Sequence, residues 1–303
     1  MYISHLSVIK ECTTKIICDI ETSVTVHQKL ISSMILLSKS YWRLMELGIA
    51  GKTALVTGAS RGIGRATCIE LANLGVNIVA VARNNSDLEK LNYEINQTIK
   101  FTAIGLDLAE PDNLSDLFRT IDSRNIPIDI IVNNLGGNLN LTDPLGPYDE
   151  FEKVLYLNFG VAVEVNRNFI PKMQEKKWGR ICHISSISAL ENQGPPQYSA
   201  AKAALNAYVR SVGRYLASDN IILNGVMPGA VLTEDGYWDI ALKTRPEHVQ
   251  NYLHTRMAIK RFGTLDEVTK VIAFLVSDFS SFMVGSMVLV DGGQGRGFQD
   301  IES

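Results

Sequence analysis

A tyrosine and a lysine stand four residues apart in the segment QYSAAKAAL, residues 197–205. Because this segment is rich in helix formers, Tyr198 and Lys202 should project from one face of a helix. A phenol has a pKa of about 10, so proton exchange near pH 7 requires a decrease of about 3 units, or about 4 kcal/mol. A positive charge about 4 Å away contributes about that much at an effective dielectric of about 20. The spacing therefore indicates either an acid/base tyrosine tuned by a lysine, or a pair that only covers a helix face.

Three serines occur in the segment HISSISA, residues 183–189, which ends a predicted strand. The carboxyl ends of parallel strands are where ligands bind in open α/β sheets. A hydroxyl of Ser185, Ser186 or Ser188 placed there can hydrogen-bond a substrate oxygen as charge develops on it, the alternative being ordinary turn chemistry. We interpret His183 as a strand residue whose hydrogen bonds are satisfied.

A glycine-rich turn, TGASRGIG at residues 57–64, follows the first predicted strand and opens the first predicted helix. Gly58, Gly62 and Gly64 permit a tight turn and a close approach of the backbone to a ligand. The helix N-terminus offers free N–H groups to a phosphate. The position of the turn favours dinucleotide binding over a βα turn without a ligand.

The end of the second predicted strand, VAVARNN, selects between the two nicotinamide dinucleotides. An NAD site usually has an acid there for the ribose 2′-hydroxyl, whereas this chain has Ala82 followed by Arg83. A guanidinium matches a 2′-phosphate, and Arg61 in the glycine turn can contact its other side. The sequence predicts NADP(H) rather than NAD(H), unless both arginines are solvated surface charges.

These residues need a scaffold, and alternating short apolar runs and segments of helical period provide one. Seven strands are predicted at 53–57, 77–82, 101–107, 129–134, 179–185, 221–226 and 286–291. Helices are predicted at 62–74, 86–97, 111–123, 150–176, 197–217 and 265–277. Right-handed crossovers then give an α/β fold of one domain, a Rossmann-type, doubly wound, seven-stranded parallel sheet.

Two segments stand outside this alternation. Residues 1–44 are predicted to be an N-terminal extension of uncertain structure, whose deletion should leave folding and activity intact, and the domain spans 45–303. Residues 230–262 carry few strand signals and are predicted to form a substrate loop over the carboxyl edge of the sheet. The segments ENQGPPQ (191–197) and TEDGYWD (233–239) are predicted to line the pocket with acids, amides and aromatic rings.

Composition restricts the function classes. The 303 residues carry a formal net charge of −3 and a pI near 6.0, which provides no basic field for nucleic acid. No apolar run approaches the roughly 18 residues that span a membrane, and no C-x-x-C pair suggests a metal or redox site. We therefore expect a cytoplasmic protein that acts on a small molecule, without metal, membrane or nucleic-acid partners.

In this order, the glycine turn, the strand-end serine and Tyr-x-x-x-Lys resemble the short-chain dehydrogenase/reductase family. The resemblance runs from about residue 47 to 293. Its motifs are TGASRGIG, the aspartate of LDL (106–108), NNLGG (133–137), LNFG (157–160), YSAAK (198–202), PG (228–229) followed by a threonine, and VDGG (290–293).

The resemblance implies a role for each matching residue. The implied catalytic set is Asn158, Ser186, Tyr198 and Lys202. The implied cofactor set is Gly58, Ser60, Arg61, Gly62, Ile63, Gly64, Arg83, Asp107, Leu108, Asn134, Gly136, Tyr198, Lys202, Pro228, Gly229, Val231 and Thr233. In the family Tyr198 would be the acid/base and Lys202 would bind the nicotinamide ribose and lower the tyrosine's pKa. Asn158 would hold a water for proton relay.

The remaining implied roles concern the carbonyl and the cofactor. Ser186 would orient the carbonyl, Asp107 would contact the adenine and Thr233 the nicotinamide amide, while Asn133 would support the sheet. Family members commonly place the serine thirteen residues before the tyrosine, which selects Ser185, whereas the motif selects Ser186. NNLGG also replaces the more usual Asn-Asn-Ala-Gly.

The resemblance implies hydride transfer between NADP(H) and a carbonyl or alcohol. A reductase of acyl thioesters or other ketones, a dehydrogenase of a sugar or polyol, and a binding protein that senses NADP(H) without chemistry remain open. A homotetramer or homodimer built on residues 150–176 and 197–217 and the last strand is also implied.

Overall fold

The computed structural model describes residues 47–95 and 97–295. Seven β-forming runs pair in parallel into one sheet of order β3-β2-β1-β4-β5-β6-β7. The strands are β1 Thr53–Thr57, β2 Asn77–Ala82, β3 Phe101–Gly105, β4 Ile130–Asn133, β5 Gly179–Ile184, β6 Ile221–Pro228 and β7 Met287–Val290. The order reverses between β1 and β4, which makes this the topological switch point where open α/β sheets bind ligands.

Helices connect the strands and cover both faces of the sheet. They are α1 Gly62–Asn73, α2 Asn85–Glu94, α3 Pro111–Ser123, α4 Tyr148–Leu155, α5 Val161–Lys176, α6 Pro196–Leu216, α7 Tyr237–Thr244, α8 Pro246–Arg256 and α9 Leu265–Leu275. The predicted single-domain, doubly wound α/β fold with seven parallel strands is confirmed. None of the described helices is long and apolar enough to span a membrane.

The two faces of the sheet carry separate apolar cores. Side chains alternate along a strand, so in β1 Ala54 and Val56 pack toward one face while Leu55 packs toward the other. The first core includes buried residues of α1 and α9, and the second includes buried residues of α3, α5 and α6. All five residues of β1 are buried, which fixes the position of the turn that follows it.

The structure differs from the sequence prediction mainly between the strands. The helix predicted over 150–176 is interrupted by a π-helical turn, Tyr156–Gly160, between α4 and α5. The predicted substrate loop, 230–262, contains two helices, α7 and α8. The predicted strand 101–107 ends at Gly105. The predicted N-terminal extension, residues 1–44, lies outside the described residues.

Candidate active site

A cleft of about 730 Å³ opens along the carboxyl edge of the sheet at the switch point. Almost every residue of the predicted catalytic and cofactor sets lines it. These are Gly58, Ser60, Arg61, Gly62, Ile63, Arg83, Asp107, Leu108, Asn134, Gly136, Ser186, Tyr198, Lys202, Pro228, Gly229, Val231 and Thr233. Only Gly64 and Asn158 are behind its wall. The fold therefore brings residues from 58 to 233 to one surface.

The glycine turn is built so that backbone, not side chains, faces the cleft. Gly58 has a φ of 65°, a conformation that favours glycine. A Cβ at Gly64 would collide with the carbonyl oxygen of Gly58 and the amide nitrogen of Asn134. Asn134 Nδ2 donates to the carbonyl oxygens of Thr57 and Gly58, both at 3.0 Å. The asparagine thus ties the turn to the end of β4.

The start of α1 supplies donors for a phosphate. Arg61 precedes the helix with extended backbone, and its side chain makes no hydrogen bond to the first turn. The first N–H groups of a helix have no intrahelical acceptors, and the helix dipole is positive there. Together with the close packing of Gly58 and Gly64, this geometry fits a pyrophosphate.

The charges on the cleft wall also fit a phosphate-bearing ligand. Three cations, Arg61, Arg83 and Lys202, line it against one acid, Asp107. The side chain of Arg83 is 75% exposed, and its nearest acid, Asp107, is 4.0 Å away. An exposed pair at that distance contributes little, so the guanidinium can turn to a ligand. Ala82 at the end of β2 brings no carboxylate.

Lys202 lies buried on α6, one turn after Tyr198. Its ammonium Nζ donates to the carbonyl oxygen of Ile184 at 2.8 Å and is 5.5 Å from the centroid of the Tyr198 ring. Burial lowers the pKa of Lys202 to about 7. A Cβ at Gly136 would stand 3.1 Å from Nζ, so glycine leaves the space that the lysine occupies.

The pKa of Tyr198 departs from the sequence-based expectation. Burial raises the pKa of this phenol, and its hydrogen bond with Ser186 opposes that shift. The sequence predicts that Lys202 lowers this pKa, but in this structure burial outweighs any such effect. The physical reason is desolvation, which disfavours the charged phenolate.

The two candidate serines have different surroundings. Ser185 is buried, and its hydroxyl donates to Asn206 Oδ1 at 2.6 Å, a contact that holds β5 to α6. The hydroxyl of Ser186 contacts Tyr198 and accepts from Ser188 N at 3.1 Å. The geometry favours Ser186 as the serine that meets a substrate oxygen.

Asn158 lies in the π-helical turn and is 1% exposed. Its amide donates to the carbonyl oxygens of Gly137 and Val154, at 2.7 and 2.8 Å, and accepts from Gly137 N at 3.0 Å. One amide N–H group and the amide oxygen thus hold the loop after β4 at Gly137, and the other N–H group bonds back to α4 at Val154. π-helical turns of this kind occur often at functional sites. The role of Asn158 in anchoring a water stays a prediction.

A buried polar network that the sequence did not reveal lies behind Lys202. Asn166 on α5 accepts from Asn133 Nδ2 at 3.0 Å and contacts Nε2 of His183 at 3.1 Å. It also donates to the hydroxyl of Tyr208 at 3.2 Å. Burial, reinforced by the charge of Lys202, lowers the pKa of His183 to about 3. His183 is thus a neutral strand residue, hydrogen-bonded at Nε2, while its buried Nδ1 has no partner among the described residues.

A second cavity, of about 610 Å³, adjoins the cleft at Ser186 and Tyr198. We call it the side cavity. The segments predicted to line the pocket contribute amides and aromatic rings through Gln193, Tyr237 and Trp238, but none of their acids lines it. His248 and Tyr252, from the predicted substrate loop, also line it, and so do Thr142 and Gln294, which lie in no segment predicted to form the pocket. Nothing in their spacing marks them, because they come together only by folding.

The arrangement contains no metal-binding group within residues 47–95 and 97–295, where no three His, Cys, Asp or Glu side chains come together. What it brings together is a phosphate-binding turn, a buried lysine, and a tyrosine and serine shared by two cavities. Such a site can hold a dinucleotide in one cavity and a small molecule in the other, with proton donors between them.

Comparisons with known proteins agree with this geometry. The family profile described as short chain dehydrogenase matches residues 52–236. The chain is 31% identical to the 3-oxoacyl-[acyl-carrier-protein] reductase FabG of Aquifex aeolicus, over 82% of this chain and 99% of that protein. It is 34% identical to L-xylulose reductase of Caenorhabditis elegans, over 80% of this chain and 95% of that protein.

A solved structure is similar over the same region. L-sorbose reductase from Gluconobacter frateurii, complexed with NADPH and L-sorbose, superposes with a TM-score of 0.77 and 30% identity. The match covers 82% of this chain and 98% of that one. From its cleft geometry and these matches, the chain belongs to the short-chain dehydrogenase family.

Proposed function

We propose that the protein is an NADP(H)-dependent oxidoreductase that transfers a hydride between the nicotinamide and a carbonyl or alcohol substrate. The observation that carries the proposal is that Tyr198 and Ser186 line both the phosphate-binding cleft and the side cavity. A proton donor positioned between a cofactor and a substrate is what carbonyl reduction requires.

The choice of NADP(H) is supported by the cleft itself. The turn at Gly58 and Gly64 leaves room for a pyrophosphate, and Arg61 and Arg83 line the same cleft with guanidinium groups that match a 2′-phosphate. The similar L-sorbose reductase was solved with NADPH. When bound, the cofactor supplies or accepts the hydride.

The chain's own residues handle the oxygen and the proton. Ser186 donates a hydrogen bond to the carbonyl oxygen and makes the carbon more electrophilic. Tyr198 gives its phenolic proton to that oxygen as the new C–H bond forms, and Lys202 in its protonated form stabilises the resulting phenolate. In the direction of oxidation Tyr198 accepts the alcohol proton.

The buried lysine sets the pH range of this exchange. With a pKa near 7, Lys202 is protonated in part of the molecules at neutral pH. Its ammonium lies 5.5 Å from the centroid of the Tyr198 ring, close enough for its charge to act on a phenolate there. The charge state of Lys202 therefore controls how readily Tyr198 releases its proton.

The test is NADPH oxidation with a panel of ketones, ketoses and acyl thioesters, and a comparison of Michaelis constants for NADPH and NADH. We expect turnover with at least one carbonyl and a lower Michaelis constant for NADPH. Tight NADPH binding without turnover of any carbonyl would favour a binding protein that senses the cofactor. A preference for NADH would overturn the cofactor assignment.

A further inference from the structure

We propose that the side cavity selects a neutral polyhydroxylated carbonyl compound, a ketose reduced to the corresponding polyol, and that Gln294 sets this selectivity. The inference rests on the proposed function and names its substrate class.

No carboxylate, ammonium or guanidinium group lines the described part of the side cavity. Among the described residues that line it, none is Asp, Glu, Lys or Arg. Its one titratable side chain besides tyrosine, among these described residues, is His248, so a substrate carboxylate or phosphate would lose hydration there without meeting a lysine or arginine, which is costly. The wall therefore disfavours keto acids and favours a neutral molecule.

The wall is nevertheless polar, and its polar groups are ordered by one buried amide. Gln294 is 4% exposed, and its Oε1 accepts from Ala230 N at 2.6 Å. Its Nε2 donates to the hydroxyl of Tyr252 and contacts Gln193 Oε1 at 3.5 Å. Gln294 thus fixes two further hydrogen-bonding side chains on the same wall.

An apolar substrate would be a poor match for this wall. A saturated acyl chain would remove water from Gln193 and Tyr252 without replacing their hydrogen bonds. A site built to bond hydroxyl groups discriminates strongly against analogues that lack them. The polar wall thus favours several hydroxyl groups next to the carbonyl.

Next to these polar groups, the cavity is lined by the aromatic ring of Trp238. The Trp238 ring packs against Tyr252 and Phe262, with centroids 4.1 and 4.9 Å away, and against Tyr237 at 4.9 Å. These neighbours hold the indole rigid. An aromatic surface beside hydrogen-bonding side chains suits a molecule that carries both C–H and hydroxyl groups, as a ketose does.

The reduction requires the ketose, NADPH, the proton of Tyr198 and a proton from solvent. The C=O π bond of the ketose breaks, its carbon gains a hydride from NADPH, and its oxygen takes the proton of Tyr198. NADPH is oxidised to NADP⁺, and Tyr198 is reprotonated from solvent.

The experiment compares catalytic efficiency, kcat/KM, across matched substrates with the full-length protein and NADPH. The panel is neutral ketopentoses and ketohexoses, a ketoaldonate of equal length, the acetoacetyl thioester of N-acetylcysteamine, and butane-2,3-dione. We expect the best ketose to exceed the ketoaldonate and the thioester by about tenfold or more. A ketoaldonate or thioester that outperforms every ketose would overturn the inference. Dione turnover without ketose turnover overturns this inference alone, whereas no turnover of any carbonyl overturns the proposed function as well.

A variant separates selectivity from folding. Gln294→Leu should raise the KM for the ketose about tenfold and leave the KM for the dione and the Kd for NADPH nearly unchanged. Gln250→Leu, on the exposed side of α8 and outside both cavities, is the matched control. If Gln294→Leu does not fold, Tyr252→Phe should give the same pattern. Equal losses for ketose and dione would contradict the assignment.

Discussion

Lys202 donates a hydrogen bond to the carbonyl oxygen of Ile184, across 2.8 Å, from a side chain that is almost fully buried. This contact fixes the cation between β5 and α6, where it is within 5.5 Å of the Tyr198 ring centroid. The arrangement places a titratable charge beside the proton donor, and its energetic cost can be measured.

The cost of burying Lys202 should appear as pH-dependent stability. Its pKa falls from 10.5 to about 7 on folding, so between these values the unfolded chain binds a proton that the folded protein does not. The free energy of unfolding therefore rises with pH in that window, by up to about 1.4 kcal/mol per pH unit. Below pH 7 the burial of Lys202 destabilises the folded protein by its full amount.

Urea unfolding at pH 7.5, 8.5 and 9.5 tests this, with wild type and Lys202→Met at equal concentration. Subtracting the variant removes the contributions of all other groups. We expect the wild-type protein to gain stability relative to Lys202→Met as pH rises. Parallel curves would show that Lys202 titrates normally.

Arg83 should decide between the two dinucleotides. Arg83→Ala removes the exposed guanidinium at the end of β2, and loss of a charge-assisted hydrogen bond costs about 1.5–3 kcal/mol. The KM for NADPH should rise about tenfold or more, with little change for NADH. Steady-state kinetics with both cofactors gives the ratio. Arg119→Ala, equally exposed on α3, is the control, and equal effects on both cofactors would refute the assignment.

Gly64 should tolerate no side chain. The added Cβ of Gly64→Ala would meet the backbone of Gly58 and the amide of Asn134, neither of which can move without opening the turn. We expect a loss of about 1–3 kcal/mol of stability and weaker NADPH binding. Thermal unfolding with and without NADPH measures both. At Gly263 a Cβ meets nothing closer than 3.5 Å, so Gly263→Ala should behave like wild type. Normal NADPH binding by Gly64→Ala would contradict the assignment of the glycine turn as the pyrophosphate site.

Local patterns predicted the parts of the site that are contiguous in sequence. The glycine turn, the end of β2 and the Tyr198–Lys202 pair each occupy a few residues whose types follow from backbone geometry or helical spacing. The alternation of strands and helices also fixed the sheet edge to which they belong. Of the predicted cofactor residues, all but Gly64 line the cleft, and Gly64 packs directly behind it.

Other features could not be predicted because they depend on long-range packing. Gln294 and Tyr252 are 42 residues apart and meet only through the fold. The π-helical turn at Tyr156–Gly160 contains Asn158, and the amide of Asn158 forms hydrogen bonds with the backbone of Gly137, 21 residues earlier in the chain. The pKa of Tyr198 was mispredicted because spacing reveals a nearby charge but not the burial that opposes it.

Tyr198→Phe tests the central claim most directly, because it removes one hydroxyl and keeps the ring that packs in the site. With the best carbonyl substrate, kcat should fall by about a hundredfold or more, while the Kd for NADPH measured by fluorescence stays nearly the same. Tyr215→Phe, an exposed tyrosine on the same helix, should be unaffected. A Tyr198→Phe enzyme that keeps wild-type turnover would contradict the assignment of this phenol as the proton donor.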